Sequence, residues 1–168
     1  MLGSTPARPP VPAKKTFREK LADPKDFPRI EPLPPGMQKQ WGKGTIVIPR
    51  PDEVDAIMRR VPEGKLITIN GIRELVAARH GATSGCPIVV GIFARIAAGA
   101  AGEDLVDGKQ RVTPYWRTLL GDGRINPKYP GGIEGQAELL RSEGHTVTVR
   151  GKTARVQDLE AKLVRLAP

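Results

Sequence analysis

Few side chains in this sequence could do covalent chemistry. The one cysteine, Cys86, directly precedes Pro87 at the head of an apolar run. At a helix N-terminus the dipole favours its thiolate, the nucleophilic form. Inert burial is the ordinary fate of such a residue. Pro114-Tyr115-Trp116-Arg117 sets a phenol beside an indole, and a phenol of pKa near 10 with no adjacent base is a poor nucleophile. His80 and His145 lie far apart, and with one cysteine they offer no ligand set for a metal and no disulfide framework. No metal, no cofactor and no catalytic residue is therefore expected. The alternative is an enzyme that uses Cys86. Gly121 to Gly135 holds five glycines and two prolines together with Arg124, Lys128 and Tyr129, which reads as a long, tightly turned or mobile loop with basic tips.

The rest of the composition points to a binding protein. The chain has 168 residues, one domain or one domain with a tail. Lys and Arg number 27 against 18 Asp and Glu, for a net charge of +9, which favours an anionic partner, most often nucleic acid. Aromatics at 4% are too few for a single-strand stacking platform. The longest apolar run, Cys86 to Ala101, is 16 residues and contains Arg95, too short to span a bilayer. No leader-like apolar segment opens the chain. The expectation is a soluble, cytoplasmic, nucleoid-associated protein, monomeric, with double-stranded DNA as partner and no membrane contact. Solubility charge without a partner is the plainer alternative.

These residues need elements to hold them. Residues 1–40 carry nine of the 17 prolines and a net charge of +4. Proline fixes φ and removes a donor, so this stretch is expected to be a basic disordered arm, with one or two helical turns at most over Lys14 to Leu21. Order is expected from Trp41. Thr45-Ile46-Val47-Ile48 reads as a strand. Pro51-Asp52-Glu53 starts a helix whose stripe is Val54, Ile57, Met58 and Val61. Asn70 is the expected N-cap of a second helix, with Gly81 at its end. After a short turn, Pro87 to Ala101 forms a third, completing a helix-turn-helix. That helix carries almost no polar group for reading a major groove. It offers Gly91, Ala94, Ala97, Ala98 and Gly99 instead. Composition alone reads it as a buried core helix. Pro114 to Leu120 is expected to be a short strand, Gln136 to Ser142 a helix, and Thr146 to Val149 a strand paired with Lys152 to Val156. Leu159, Leu163 and Leu166 suggest a last amphipathic helix. The fold class is mainly α with small β elements, divided into an arm (1–40), a DNA-binding domain (41–150) and a C-terminal extension (151–168).

Asp52 to Thr148 resembles the DNA-binding domain of the alkylguanine-DNA alkyltransferases, and in particular their alkyltransferase-like branch. The resemblance rests on Val61-Pro62-Glu63-Gly64-Lys65, Val90-Gly91, Pro114-Tyr115-Trp116-Arg117, Asp122-Gly123, Tyr129-Pro130-Gly131-Gly132 and Glu143-Gly144-His145, in the family's order and at similar spacing. It implies a winged helix-turn-helix that docks its recognition helix in the minor groove and turns a damaged guanine into a pocket. Tyr115 stands where the family has its acceptor cysteine. The alkyltransferase-like branch also lacks that cysteine, binds the lesion and hands it to excision repair. The resemblance thus implies a non-enzymatic protein that recognises or presents alkylated guanine, with excision-repair proteins as partners. It assigns Tyr115, Trp116, Arg117, Tyr129, Gly131, Gly132 and Glu143 to the lesion pocket. It assigns Ile69, Asn70, Ile88, Gly91, Ala94, Arg95, Arg124 and Lys128 to DNA binding. Ile69 replaces the family's phosphate-rotating tyrosine and Ile88 its helix arginine, so Ile88 becomes an apolar wedge. Tyr115 and Trp116 are equally consistent with core aromatics. A basic architectural protein without lesion specificity is a further alternative.

Overall fold

The computed structural model describes residues 3, 5–7, 9–10 and 13–168. The elements in chain order are α1 (Phe17–Ala22), β1 (Arg29–Pro32), α2 (Pro35–Trp41), β2 (Thr45–Ile48), α3 (Pro51–Arg59), β3 (Ile67–Thr68), α4 (Ile69–His80), β4 (Ser84–Gly85), α5 (Pro87–Val106), β5 (Thr118–Leu119), α6 (Gly132–Ser142), β6 (Val147–Arg150), β7 (Thr153–Val156) and α7 (Leu159–Lys162). A 3-10 turn, Tyr115–Arg117, precedes β5. The chain is mainly helical. Among the described residues its strands form three small sheets, ordered β1-β2-β4, β3-β5 and β6-β7.

Two apolar clusters organise these elements. The first gathers Val54, Ile57 and Met58 of α3, Ile72, Leu75 and Val76 of α4, and Val90, Phe93, Ala94, Ala97 and Ala98 of α5. The second joins Leu66, Leu119, Ile125, Ala137, Leu140, Val147, Ala154 and Val156. The stripes of α3 and α4 bury as their periodicity requires, each fully buried aliphatic contributing about 1.5–3 kcal/mol. Pro51 at the first helical position and Asp52 and Glu53 in the first turn start α3 as expected. Gly81 ends α4 in the left-handed region at φ 65°.

The N-cap of α4 is Thr68 and not Asn70: its hydroxyl accepts from the Gly71 N–H at 3.2 Å. Ile67 and Thr68 pair in parallel with Thr118 and Leu119, so the helix begins directly where that short strand ends. Pro114 to Leu120 is a 3-10 turn with only two strand residues after it. The turn before α5 contains β4, which runs parallel to β2. The last helix stops at Lys162 because Leu66 and Val164 exchange backbone hydrogen bonds with Lys162 and Leu66 at 3.0 and 2.8 Å, extending the chain past Leu163.

The largest correction concerns the arm. Residues 1, 2, 4, 8, 11 and 12 lie outside the described residues, but residues 16–41 are built into the domain. Thr16 and Glu19 close a capping box on α1. A helix of six residues is too short to persist alone, and α1 packs on α5. A Cβ at Gly99 would overlap the Phe17 ring. The Glu103 carboxylate accepts from the Phe17 and Arg18 backbone N–H groups at 3.0 and 2.9 Å. This docking also extends α5 to Val106, beyond the expected end at Ala101. β1 then pairs antiparallel with β2, Ile30 opposite Val47. Proline density blocked long regular elements in this segment, but it did not prevent short ones from being held by distant partners.

Candidate nucleic-acid interface

The outer face of α5 is built by its 3.6-residue period. Val90, Phe93, Ala94 and Ala97 point into the first cluster, which leaves Ile88, Gly91, Ile92 and Arg95 outward at i, i+3, i+4 and i+7. Ile88 is 72% exposed and Ile92 50%. A Cβ at Gly91 would meet no atom within 4 Å. Arg95 is exposed at the end of the stripe. Ala94, assigned to the same surface on sequence, is fully buried and belongs to the core. The helix is therefore core on one side and, on the other, an exposed face of Ile88, Gly91, Ile92 and Arg95.

Arg73 of α4 fixes this face against the helix before it. Its Nε donates to the Gly85 carbonyl at 3.1 Å and its Nη2 to Ser84 Oγ at 3.1 Å, tying α4 to the turn that leads into α5. Its Nη1 donates to Asn70 Oδ1 at 3.3 Å. Asn70 is exposed and lies against Gly121, where a Cβ would come within 2.9 Å of its amide. Ile69 is half-buried against the first cluster.

The residues assigned to the lesion pocket do come together, as a closed cluster. Tyr115 meets Trp116 edge-on at 5.3 Å between centroids and Tyr129 edge-on at 6.2 Å. Tyr115 and Tyr129 are each 3% exposed, so neither presents a ring face to a base. Burial raises both phenol pKa values, more strongly at Tyr129 despite a hydrogen bond with Asn126. Gly131 and Gly132 hold φ at 81° and 62°. They turn the chain sharply into α6 behind Tyr129, and Gly132 donates to the Tyr129 carbonyl at 3.0 Å.

Glu143, at the end of α6, binds the cluster's polar rim. It accepts from Trp116 Nε1 at 2.8 Å, from Arg117 Nε at 3.0 Å and from Arg117 Nη2 at 2.7 Å. Arg117 Nη1 donates to the Val61 carbonyl at 2.7 Å. Partial burial pushes the Glu143 carboxyl up, but the Arg117 and Trp116 hydrogen bonds outweigh it and hold the pKa below the usual value. The neighbouring His145 is buried with no partner on either ring nitrogen among the described residues. Burial lowers its pKa, opposed by Glu143 and assisted by Lys162 and Arg117.

The basic loop carries Arg124, which donates to Asp122 at 2.6 Å, and Lys128, which is exposed with no ion pair among the described residues. Cys86 is half-buried as the N-cap of α5, and its N–H donates to the Val47 carbonyl at 2.9 Å. It takes no part in the hydrogen bonds of the Tyr115–Glu143 cluster. Among the described residues no group of three His, Cys, Asp or Glu could hold a metal ion, and no helix is long and apolar enough to cross a membrane.

No family model matches this chain, and no curated protein matches it. Two solved structures are similar to it. One is S. pombe Atl1 in complex with damaged DNA containing O6-carboxymethylguanine, at 17% identity and TM-score 0.46. The other is S. pombe ATL in complex with DNA, at 18% identity and TM-score 0.47. Each comparison covers 69% of this chain and 94% of the other.

The sequence reading did not single out Ile92, which shares the exposed face of α5, or Arg73, which ties α4 to the turn that leads into α5. Ile92 was findable, since it falls one turn beyond Ile88 on the same stripe. Arg73 was not, because its partners Ser84 and Gly85 are set by the turn and not by helical periodicity.

Proposed function

We propose that this chain is a non-enzymatic DNA-binding protein of the alkyltransferase-like kind, a winged helix-turn-helix that lays α5 in the minor groove. The observation that carries this reading is the exposed face of Ile88, Gly91, Ile92 and Arg95. Gly91 leaves an open gap in this face, and an exposed apolar side chain such as Ile88 at its head can wedge a base step from the minor groove. The net charge of +9 supplies phosphate attraction. Tyr115, in the place of the acceptor cysteine, is a buried phenol that burial holds in its neutral form, a poor nucleophile. The motif resemblance extends the reading to recognition of alkylated guanine and delivery to excision repair.

A second reading, duplex binding without lesion preference, is favoured by one observation. Tyr115 and Tyr129 pack against each other and leave no open ring face, so a turned-out base would enter only after that cluster opens.

Affinity for methylguanine and unmodified duplexes, measured at one fixed salt, separates the two readings. Tighter binding of the modified duplex supports lesion recognition, and equal affinities support the second. Intact mass after incubation with methylguanine DNA is expected to be unchanged. A methyl adduct mapped to Cys86 would overturn the non-enzymatic reading.

A further inference from the structure

The β6–β7 hairpin sorts its residues by face, except that Val149, opposite Ala154 on the inner face, is 37% exposed. The register pairs Val147 with Val156, Thr148 with Arg155, Val149 with Ala154 and Arg150 with Thr153. Val147, Ala154 and Val156 are buried in the second cluster. The opposite face presents Thr148, Arg150, Thr153 and Arg155, with Gln157 just beyond, around a shallow surface hollow. Lys152 stands exposed at the turn.

This face holds cations and hydrogen-bond donors with no acid among them: no Asp or Glu occurs from Gly144 to Gln157. Arg150 and Arg155 occupy a diagonal pair of positions on the ribbon, about 7–8 Å apart. Among the described residues Arg150 and Lys152 take no ion pair. Arg155 shares Asp122 with Arg124. Ile125 donates to the Ala154 carbonyl at 2.9 Å, and Arg124 bridges Arg155. The hairpin thereby lies against the loop that carries Arg124 and Lys128. It stands on the second cluster, whereas α5 stands on the first.

We infer that the outer face of this hairpin is a second nucleic-acid contact, separate from α5, which grips the phosphate backbone of a duplex that extends beyond the α5 site. Arginine and hydroxyl donors repeating along a ribbon complement a run of phosphates. The inference rests on the DNA-binding reading above.

The test uses the full chain with duplexes of about one and about three helical turns, roughly 10 and 30 base pairs, over a salt series. The variants are Arg150→Ala with Lys152→Ala, and separately Gly91→Leu. Each lost phosphate contact removes about 0.9 from the slope of log affinity against log salt. The hairpin double variant is expected to flatten that slope by roughly two units on the long duplex only, with an unchanged melting temperature. An unchanged slope on the long duplex overturns the inference, even if Gly91→Leu abolishes binding. If the hairpin variant flattens the slope while Gly91→Leu has no effect, the hairpin contact stands and the minor-groove reading falls. If the unaltered protein retains neither duplex, both fall.

Discussion

Glu143 is one carboxylate shared by three segments: the 3-10 turn through Trp116 and Arg117, the end of α6, and the 61–64 turn through Arg117. Replacing it by Gln keeps the shape and removes the charge opposite a largely buried guanidinium. Glu143→Gln is expected to destabilise the chain by about 1–3 kcal/mol, read as a lower urea midpoint. The pH dependence at this corner has a definite sign. His145 has a depressed pKa, so the unfolded chain takes its proton more readily. Its contribution is complete above its ordinary value of 6.5 and is lost as pH falls below it. Glu143, also depressed, contributes above the ordinary carboxylate value and loses that contribution only at lower pH. Urea midpoints are therefore expected to fall as pH drops below 6.5, the ordinary value that the unfolded chain keeps. His145→Gln, which does not titrate, is expected to flatten that fall. The order of motifs around Tyr115, Tyr129 and Glu143 was legible from the sequence. Their closure was not, because whether two rings face solvent or each other depends on the turn at Gly131 and Gly132 and on α6 behind it.

Among the elements, α5 separates what periodicity can tell from what it cannot. Its outer stripe follows from spacing once the inner one is known, yet its composition hid which face was which. Gly91→Leu is expected to leave the melting temperature nearly unchanged, since that position is open, while weakening duplex binding. Ala94→Leu is expected to cost about 1–3 kcal/mol by overpacking, because Ala94 is fully buried. Circular-dichroism melts of the two variants distinguish these outcomes. The helices α3 and α4 and the β6–β7 hairpin were legible because local signals, a proline start, a glycine stop or strict alternation, agreed with their burial. The short helix α1, Phe17–Ala22, falls where one or two turns were expected over Lys14 to Leu21, but its docking was not legible, nor was β1. Their stability comes from Glu103, Gly99 and Val47, which lie far away in sequence. Two glycines of α5 are points of close approach within the fold, Gly99 to Phe17 and Gly102 to Pro130.

For the molecule as a whole, residues 16–41 are part of the fold. Leu21 and Phe27 pack on the first cluster, and Leu33 is fully buried. Removing residues 1–41 would bare these contacts and the edge of β2. The expected loss is about 3 kcal/mol or more, seen as a large fall in melting temperature and faster proteolysis. An unchanged melt would mean that the segment adds nothing to the rest. The same truncation is expected to leave the β6–β7 salt response in place, since that hairpin rests on a different cluster.

The 20 residues of α5 make a rod about 30 Å long. Its far end is clamped by Glu103 under α1 and by Arg18 reaching Asp104 and Asp107. The near end is anchored too, by the Cys86 N–H on the Val47 carbonyl and by Arg73 on Ser84 and Gly85, although Ile88 itself is exposed. A rod held at both ends carries a load along its length, so what is applied at the Ile88 tip is felt at the root. Engagement of the tip should then register as slower deuterium exchange in α1, a segment that the partner never touches.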